Sequence, residues 1–245
     1  MKLEDAVVGI IAVESRREHI EKNTIPTLQK AGIKDIRVFY DPKYGQKKWT
    51  RKEILSNANA NYEAAHRGTF TDDTKGKPII MMTDDVIFSE HWEKELKRIV
   101  SETKGAKVYC LFTAVKRHLK KSVRGYSVNK DVSGYYDPCV LFLIDDPKRF
   151  MTEFYDWAEK SNEPHPDMRL GKFIHDVKRW AIITTVPTLV TSPFKSEMGH
   201  GVFETPLFLD EAIERGYEVV EDKPICAFVV AVFEDEDWRT LGESL

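Results

Sequence analysis

Apolar residues in this chain fall into short β-branched runs separated by segments with helical spacing. Residues 7–13 are almost continuously apolar, the signature of a strand covered on both faces. Ile20, Ile25, Leu28 and Ala31 then share one helix face, Gly32 marks the stop, and Pro26 kinks or divides the helix. The pattern predicts a second strand over 36–40, closed by the turn pair Asp41-Pro42. Residues 51–67 read as a helix with Ile54, Leu55, Ala58, Tyr62 and Ala65 inward. A third strand over 78–82 delivers Asp84 and Asp85 at its carboxyl end. Ser89 caps the next helix, which buries Trp92, Leu96, Ile99 and Val100, and a fourth strand covers 107–113.

The second half is less regular. A strand is predicted over 139–144, then a helix begun by Asp146-Pro147 with Phe150, Phe154, Trp157 and Ala158 buried. A turn-rich loop over 162–167, a helix over 168–180 and a strand over 181–186 follow. Residues 187–203 read as a loop, 211–215 as a helix and 227–233 as a late strand. The order predicts a single α/β domain over 1–245, Rossmann-like, with a mixed, mostly parallel central sheet flanked by helices. Ligands of such sheets sit outside the carboxyl ends of the strands. That rule draws Glu14, Arg16, Asp41, Asp84 and Asp85 to one crevice.

Composition narrows the class. The 245 residues are 42% hydrophobic and 31% charged, ordinary for a globular chain, and the net charge of −3 argues against a general polyanion binder. Cys110, Cys139 and Cys226 are odd in number, far apart and set in apolar runs, which predicts reduced thiols. The amino terminus lacks the basic start of a signal peptide, and no apolar run nears the ~20 residues of a membrane span. A cytoplasmic protein without a transmembrane segment is expected.

Candidate chemistry gathers at four places. Asp84-Asp85 ends an apolar strand, where carboxylates need a partner; a hard divalent cation, Mn²⁺ or Mg²⁺, would carry a diphosphate with it, whereas turn chemistry is the plainer reading. Asp167 follows a proline-bounded loop and is either a general base or a helix cap. Ser192, Lys195, Ser196 and His200 supply hydroxyls, a cation and an imidazole for phosphate or metal contact, or belong to a solvated loop. Lys116, Arg117, His118, Lys120, Lys121, Arg124 and Lys130, with Tyr126, Tyr135 and Tyr136 nearby, form either a groove for a phosphate-rich acceptor or a solvated face. No Walker loop, GxGxxG, GxSxG or zinc spacing is present.

Together these segments resemble the GT-A class of nucleotide-sugar glycosyltransferases. VGIIAVESRREHIEKNTIPTLQKAG looks like the opening strand and helix, and KPIIMMTDDV looks like the DxD metal strand with Thr83 in place of the first carboxylate. Asp167-Met168-Arg169-Leu170 resembles the D-x-x-L element that carries the base in inverting members. TTVPTLVTSPFKSEMG is similar to a family segment P-x-LV-x-H-x-G-x-x-S-x-x-G; Pro187, Leu189, Val190, Ser196 and Gly199 fit, and the family His falls near Ser192.

The resemblance implies a metal-dependent glycosyltransferase that moves a sugar from a nucleotide-sugar, a UDP-sugar by preference. Asp85 is then the metal ligand, with Asp84 a second contact or an acceptor for a sugar hydroxyl, and His200 a substitute for the missing His. Val13, Glu14, Arg16 and Asp41 lie by the base and ribose, Lys195 and Ser196 by the phosphates, and Asp167 is the base. The donor site falls in about residues 1–115. The acceptor half, about 116–245, offers Lys120, Arg124, Tyr126 and Tyr135 to a glycan, a protein or nucleic acid, including hydroxymethylated DNA. A nucleotidyltransferase and a non-catalytic nucleotide-sugar-binding module are the alternatives.

Overall fold

A computed structural model describes residues 2–41, 50–113, 125–130, 135, 138–195, 202–203 and 207–216. In chain order, the first half gives β1 (Val7–Val13), α1 (Arg17–His19), α2 (Ile25–Lys30), β2 (Asp35–Asp41), α3 (Arg51–Thr69), β3 (Ile79–Thr83), β4 (Ile87–Phe88), α4 (Trp92–Glu102) and β5 (Val108–Cys110). The second half adds β6 (Tyr126–Asn129), β7 (Cys139–Phe142), α5 (Pro147–Ala158), α6 (Pro166–Lys172), β8 (Ile182–Thr185), β9 (Val190–Lys195), β10 (Val202–Phe203) and α7 (Leu209–Glu214). The predicted strand over 227–233 lies outside the described residues.

Among the described residues the main sheet has seven strands in the order β2-β1-β3-β7-β5-β8-β6. β1, β2, β3, β5 and β8 run one way, while β7 and β6 oppose them. The protein is therefore α/β with a mixed, mostly parallel central sheet flanked by helices, and both halves of the chain contribute strands to it. Alternate strand residues point to opposite faces. Val8, Ile10, Ile80 and Met82 join Trp92, Leu96 and Ile99 of α4 in one core cluster. Ile79, Met81, Val140 and Phe142 join Ala65 of α3, Phe150 and Phe154 of α5 and Leu170 of α6 in the other.

Two glycines set how closely α3 approaches the sheet. A Cβ at Gly9 would lie 2.3 Å from Thr69 Oγ1 and 2.7 Å from Met81 Sδ, and one at Gly68 would lie 2.3 Å from Phe39 Cε1. The helix after β1 opens into a wide turn over Ile20–Thr24 just ahead of Pro26, which has no N–H to give the preceding turn. It ends at Gly32 with φ +86°, a left-handed stop as the sequence predicts. Asp146 caps α5 by accepting from Arg149 N–H at 3.1 Å. Cys110 and Cys139 are buried thiols on neighbouring strands, and burial pushes the Cys139 thiol upward. Cys226 lies outside the described residues. No helix among the described residues is long and apolar enough to cross a membrane.

Several element expectations need correction. The 187–203 segment is not a continuous loop: β9 pairs with β4 and β10 there. Pro193 is accommodated because the β9–β10 register jumps from Lys195 to Ser192, skipping the proline. Part of the basic segment, 126–129, is the strand β6. Ser89 does not cap α4 directly; His91 is the cap residue, and Ser89 Oγ accepts its N–H at 3.1 Å. The helix expected from 168 starts at Pro166, whose fixed φ suits a first turn, so Asp167 lies inside it.

Candidate functional site

The carboxyl ends of β1, β2 and β3 share one end of the sheet, with Val13 at the centre. Val13 registers with Asp41 on β2, whereas the β1–β3 ladder stops at Ile11 and Thr83. Beyond that point a side chain continues the ladder: Val13 N–H donates to Asp84 Oδ2 at 2.6 Å. Asp84 is 9% exposed, and a charge-assisted bond to the backbone makes that burial tolerable.

Asp41 is buried as well, at 6% exposure, and its Oδ2 accepts from Asn57 Nδ2. One turn on, Asn61 Nδ2 reaches the Ala12 carbonyl at 3.5 Å. Residues four apart on a helix share a face, so α3 turns an amide edge toward the ends of β1 and β2.

Asp85 is half-buried and held from two sides. Thr83 Oγ1 donates to Oδ1 at 2.5 Å, and Ser192 Oγ donates to Oδ2 at 2.7 Å. Ser192 reaches it because Phe88 and Val190 pair across β4 and β9. The same strand supplies Phe194, whose ring stands under the Arg16 guanidinium at 4.3 Å and meets the edge of His19 at 4.7 Å. Arg17 covers the Tyr40 ring at 4.0 Å and clasps Glu14 at 2.6 Å. That hydrogen bond holds the Glu14 carboxyl below the usual carboxylate range, while burial raises the Tyr40 phenol.

Three aspartates thus sit at one end of the sheet, Asp41 on one side of β1 and Asp84 and Asp85 on the other, with the Arg16–Phe194 and Arg17–Tyr40 stacks beside them. Among the described residues no group of three or more His, Cys, Asp or Glu side chains can hold a metal ion. Asp85 nevertheless suits an ion that arrives with its own phosphates, because Mg²⁺ is commonly held by one or two carboxylates and completed by phosphate and water. A carboxylate offers about four lone-pair sites, and the two hydroxyls take one on each oxygen.

No family model matches the chain, and no curated protein matches it.

Val13, Glu14, Arg16, Asp41, Asp84 and Asp85 thus share one end of the sheet. Asp167 is half-buried in the first turn of α6, and no hydrogen bond or ion pair among the described residues joins it to the three aspartates. Its helix is tied to α3 through Arg169, which donates to Asn59. Tyr126 opens β6 opposite Thr185, and Tyr135 is 8% exposed within the second core cluster, where its ring serves packing. Lys195 belongs to β9, but its side chain is outside the described residues, as are Ser196, His200, Lys120 and Arg124.

Sequence reasoning missed Asn57, Tyr40 and Phe194, and treated Thr83 only as a lost carboxylate. A signal existed for the first: Asn57, Asn59 and Asn61 alternate with alanine inside a helix. Asparagine is a poor helix former and earns such positions by hydrogen bonding.

Proposed function

We propose that the protein is a metal-dependent glycosyltransferase of GT-A type that moves a sugar from a nucleotide-sugar, with a UDP-sugar as first candidate, to an acceptor hydroxyl. One observation carries the reading. The segment resembling the family's metal strand and the segment resembling its later His-bearing loop meet in space through Asp85 and Ser192, 107 residues apart. The family His falls near Ser192 in that resemblance.

In this reading Asp85 takes the ion that accompanies the donor diphosphate. Thr83 and Ser192 fix the orientation of its carboxylate. Asp84 holds the end of β1 in place through Val13 N–H. Asp41, aligned by Asn57, accepts a hydrogen bond from the base or ribose. A bound Mn²⁺ or Mg²⁺ supplies Lewis-acid stabilisation to the leaving phosphate. Asp167 removes the acceptor proton as the hydroxyl oxygen bonds to the anomeric carbon and the bond from that carbon to the diphosphate breaks. The products are the glycosylated acceptor and a nucleoside diphosphate, with inversion at the anomeric carbon.

A second reading has its own support. In the resemblance Thr83 takes the place of a carboxylate and Ser192 lies near the place of a His, and both donate to Asp85. A non-catalytic nucleotide-sugar-binding module would have this hydroxyl-lined site. Product analysis separates the readings. Nucleoside diphosphate released with a glycosylated acceptor supports the transferase. Binding without turnover supports the module, and inorganic diphosphate as product identifies a nucleotidyltransferase.

A further inference from the structure

A cleft of about 550 Å³ opens between the start of α3 and the segment entering α6, lined by Lys52, Ser56, Asn59, Glu163 and Arg169 among others. Strand β2 ends at Asp41 and α3 runs back from there, so the cleft lies toward the same end of the sheet as the aspartates. Its acid is already answered: Lys172 Nζ lies 2.5 Å from Glu163, and that hydrogen bond lowers the Glu163 carboxyl. Its cations are not. No ion pair among the described residues involves Lys52 or Arg169. Arg169 gives one N–H to Asn59, but its Nε is buried with no hydrogen-bond partner among the described residues.

A guanidinium is a planar fork of donors matched to phosphate oxygens, and Arg169 lines the cleft without an ion-pair partner among the described residues. Lys52 adds a second positive charge, and Ser56 and Asn59 add polar groups of the same cleft. The volume falls within the range of small-ligand pockets, enough for one sugar-phosphate or one nucleotide.

We propose that this cleft binds a phosphate group carried by the acceptor. The inference rests on the reading of the aspartates as the donor site: Asn57 of α3 holds Asp41, and Ser56 of the same helix lines the cleft, so a phosphate bound there belongs to the molecule that meets the donor at this end of the sheet.

The test titrates the full chain with inorganic phosphate against sodium chloride of equal ionic strength, following Tm, in the wild type, Arg169→Gln and Lys52→Gln. Lys52 is exposed, so its variant keeps the fold if the other does not. A saturable rise in Tm is expected, with apparent Kd weakened about tenfold or more in each variant. A short single-stranded oligonucleotide in a parallel arm distinguishes a polymer phosphate, which competes with inorganic phosphate, from a small phosphorylated acceptor, with which the oligonucleotide does not compete. A UDP-sugar with Mn²⁺ in a third arm should stabilise all three proteins equally. No response to phosphate, or one undiminished in both variants, overturns the cleft. A lost donor response with an intact phosphate response overturns the donor site instead and leaves the cleft standing.

Discussion

Ser192 Oγ donates to Asp85 Oδ2 across 2.7 Å, joining residues 107 positions apart in the chain. The bond ties β9 to the end of β3 and fixes the carboxylate on which the functional reading turns. Ser192→Ala is expected to lower unfolding free energy by about 1.5–3 kcal/mol in urea melts, the scale of a hydrogen bond to a charged group. Its effect should largely vanish in an Asp85→Ala background, because the two residues share one interaction.

Asp84 and Asp85 are adjacent but act differently. Asp84 completes a backbone ladder, so its removal should register as stability. Asp84→Ala leaves Val13 N–H without its acceptor and should cost about 1–3 kcal/mol, whereas Asp84→Asn keeps an oxygen there and should lose about half as much. Equilibrium denaturation of the two variants measures the difference.

Much of this was legible in the sequence, and the limits have physical causes. The run at residues 7–13 is apolar on both faces, so β1 matches its predicted bounds, and Gly32 is a stop because only glycine takes φ +86° without strain. Thr50 and Glu53 form a capping box whose T-x-x-E spacing was readable and went unread. β9 was hidden because Pro193 and Ser192 signal a loop locally, while pairing with β4 decides the matter at long range. The placement of the three aspartates at one end of the sheet was legible because each follows or ends a predicted strand. Asn57, Thr83 and Phe194 were not, because their partners are set by tertiary contacts rather than spacing.

Gly9 permits the close contact between α3 and β1. Gly9→Ala drives a Cβ toward Thr69 Oγ1 and Met81 Sδ and should destabilise the fold by about 1–3 kcal/mol. Because the same helix carries Asn57, the variant should also weaken donor binding, read as a smaller ligand-induced rise in Tm.

His66 is fully buried against Tyr155, with Nδ1 2.9 Å from the phenol, and burial lowers its pKa to about 3 from 6.5. The folded state therefore keeps it neutral while the unfolded chain takes up a proton below 6.5, so stability falls as pH drops through that window. The loss approaches about 1.4 kcal/mol per pH unit well below 6.5 and totals about 2 kcal/mol by about pH 5. His66→Gln should remove that part of the slope in urea melts taken across the range.

The most direct test is Tm of the wild type and Asp85→Asn with a panel of nucleotide-sugars, each with Mn²⁺ and with EDTA. A ligand that binds only the folded state raises Tm by mass action. The account predicts a rise for at least one nucleotide-sugar in the wild type that needs Mn²⁺ and is lost in Asp85→Asn. A rise that persists in EDTA, or is equally large in Asp85→Asn, would contradict it.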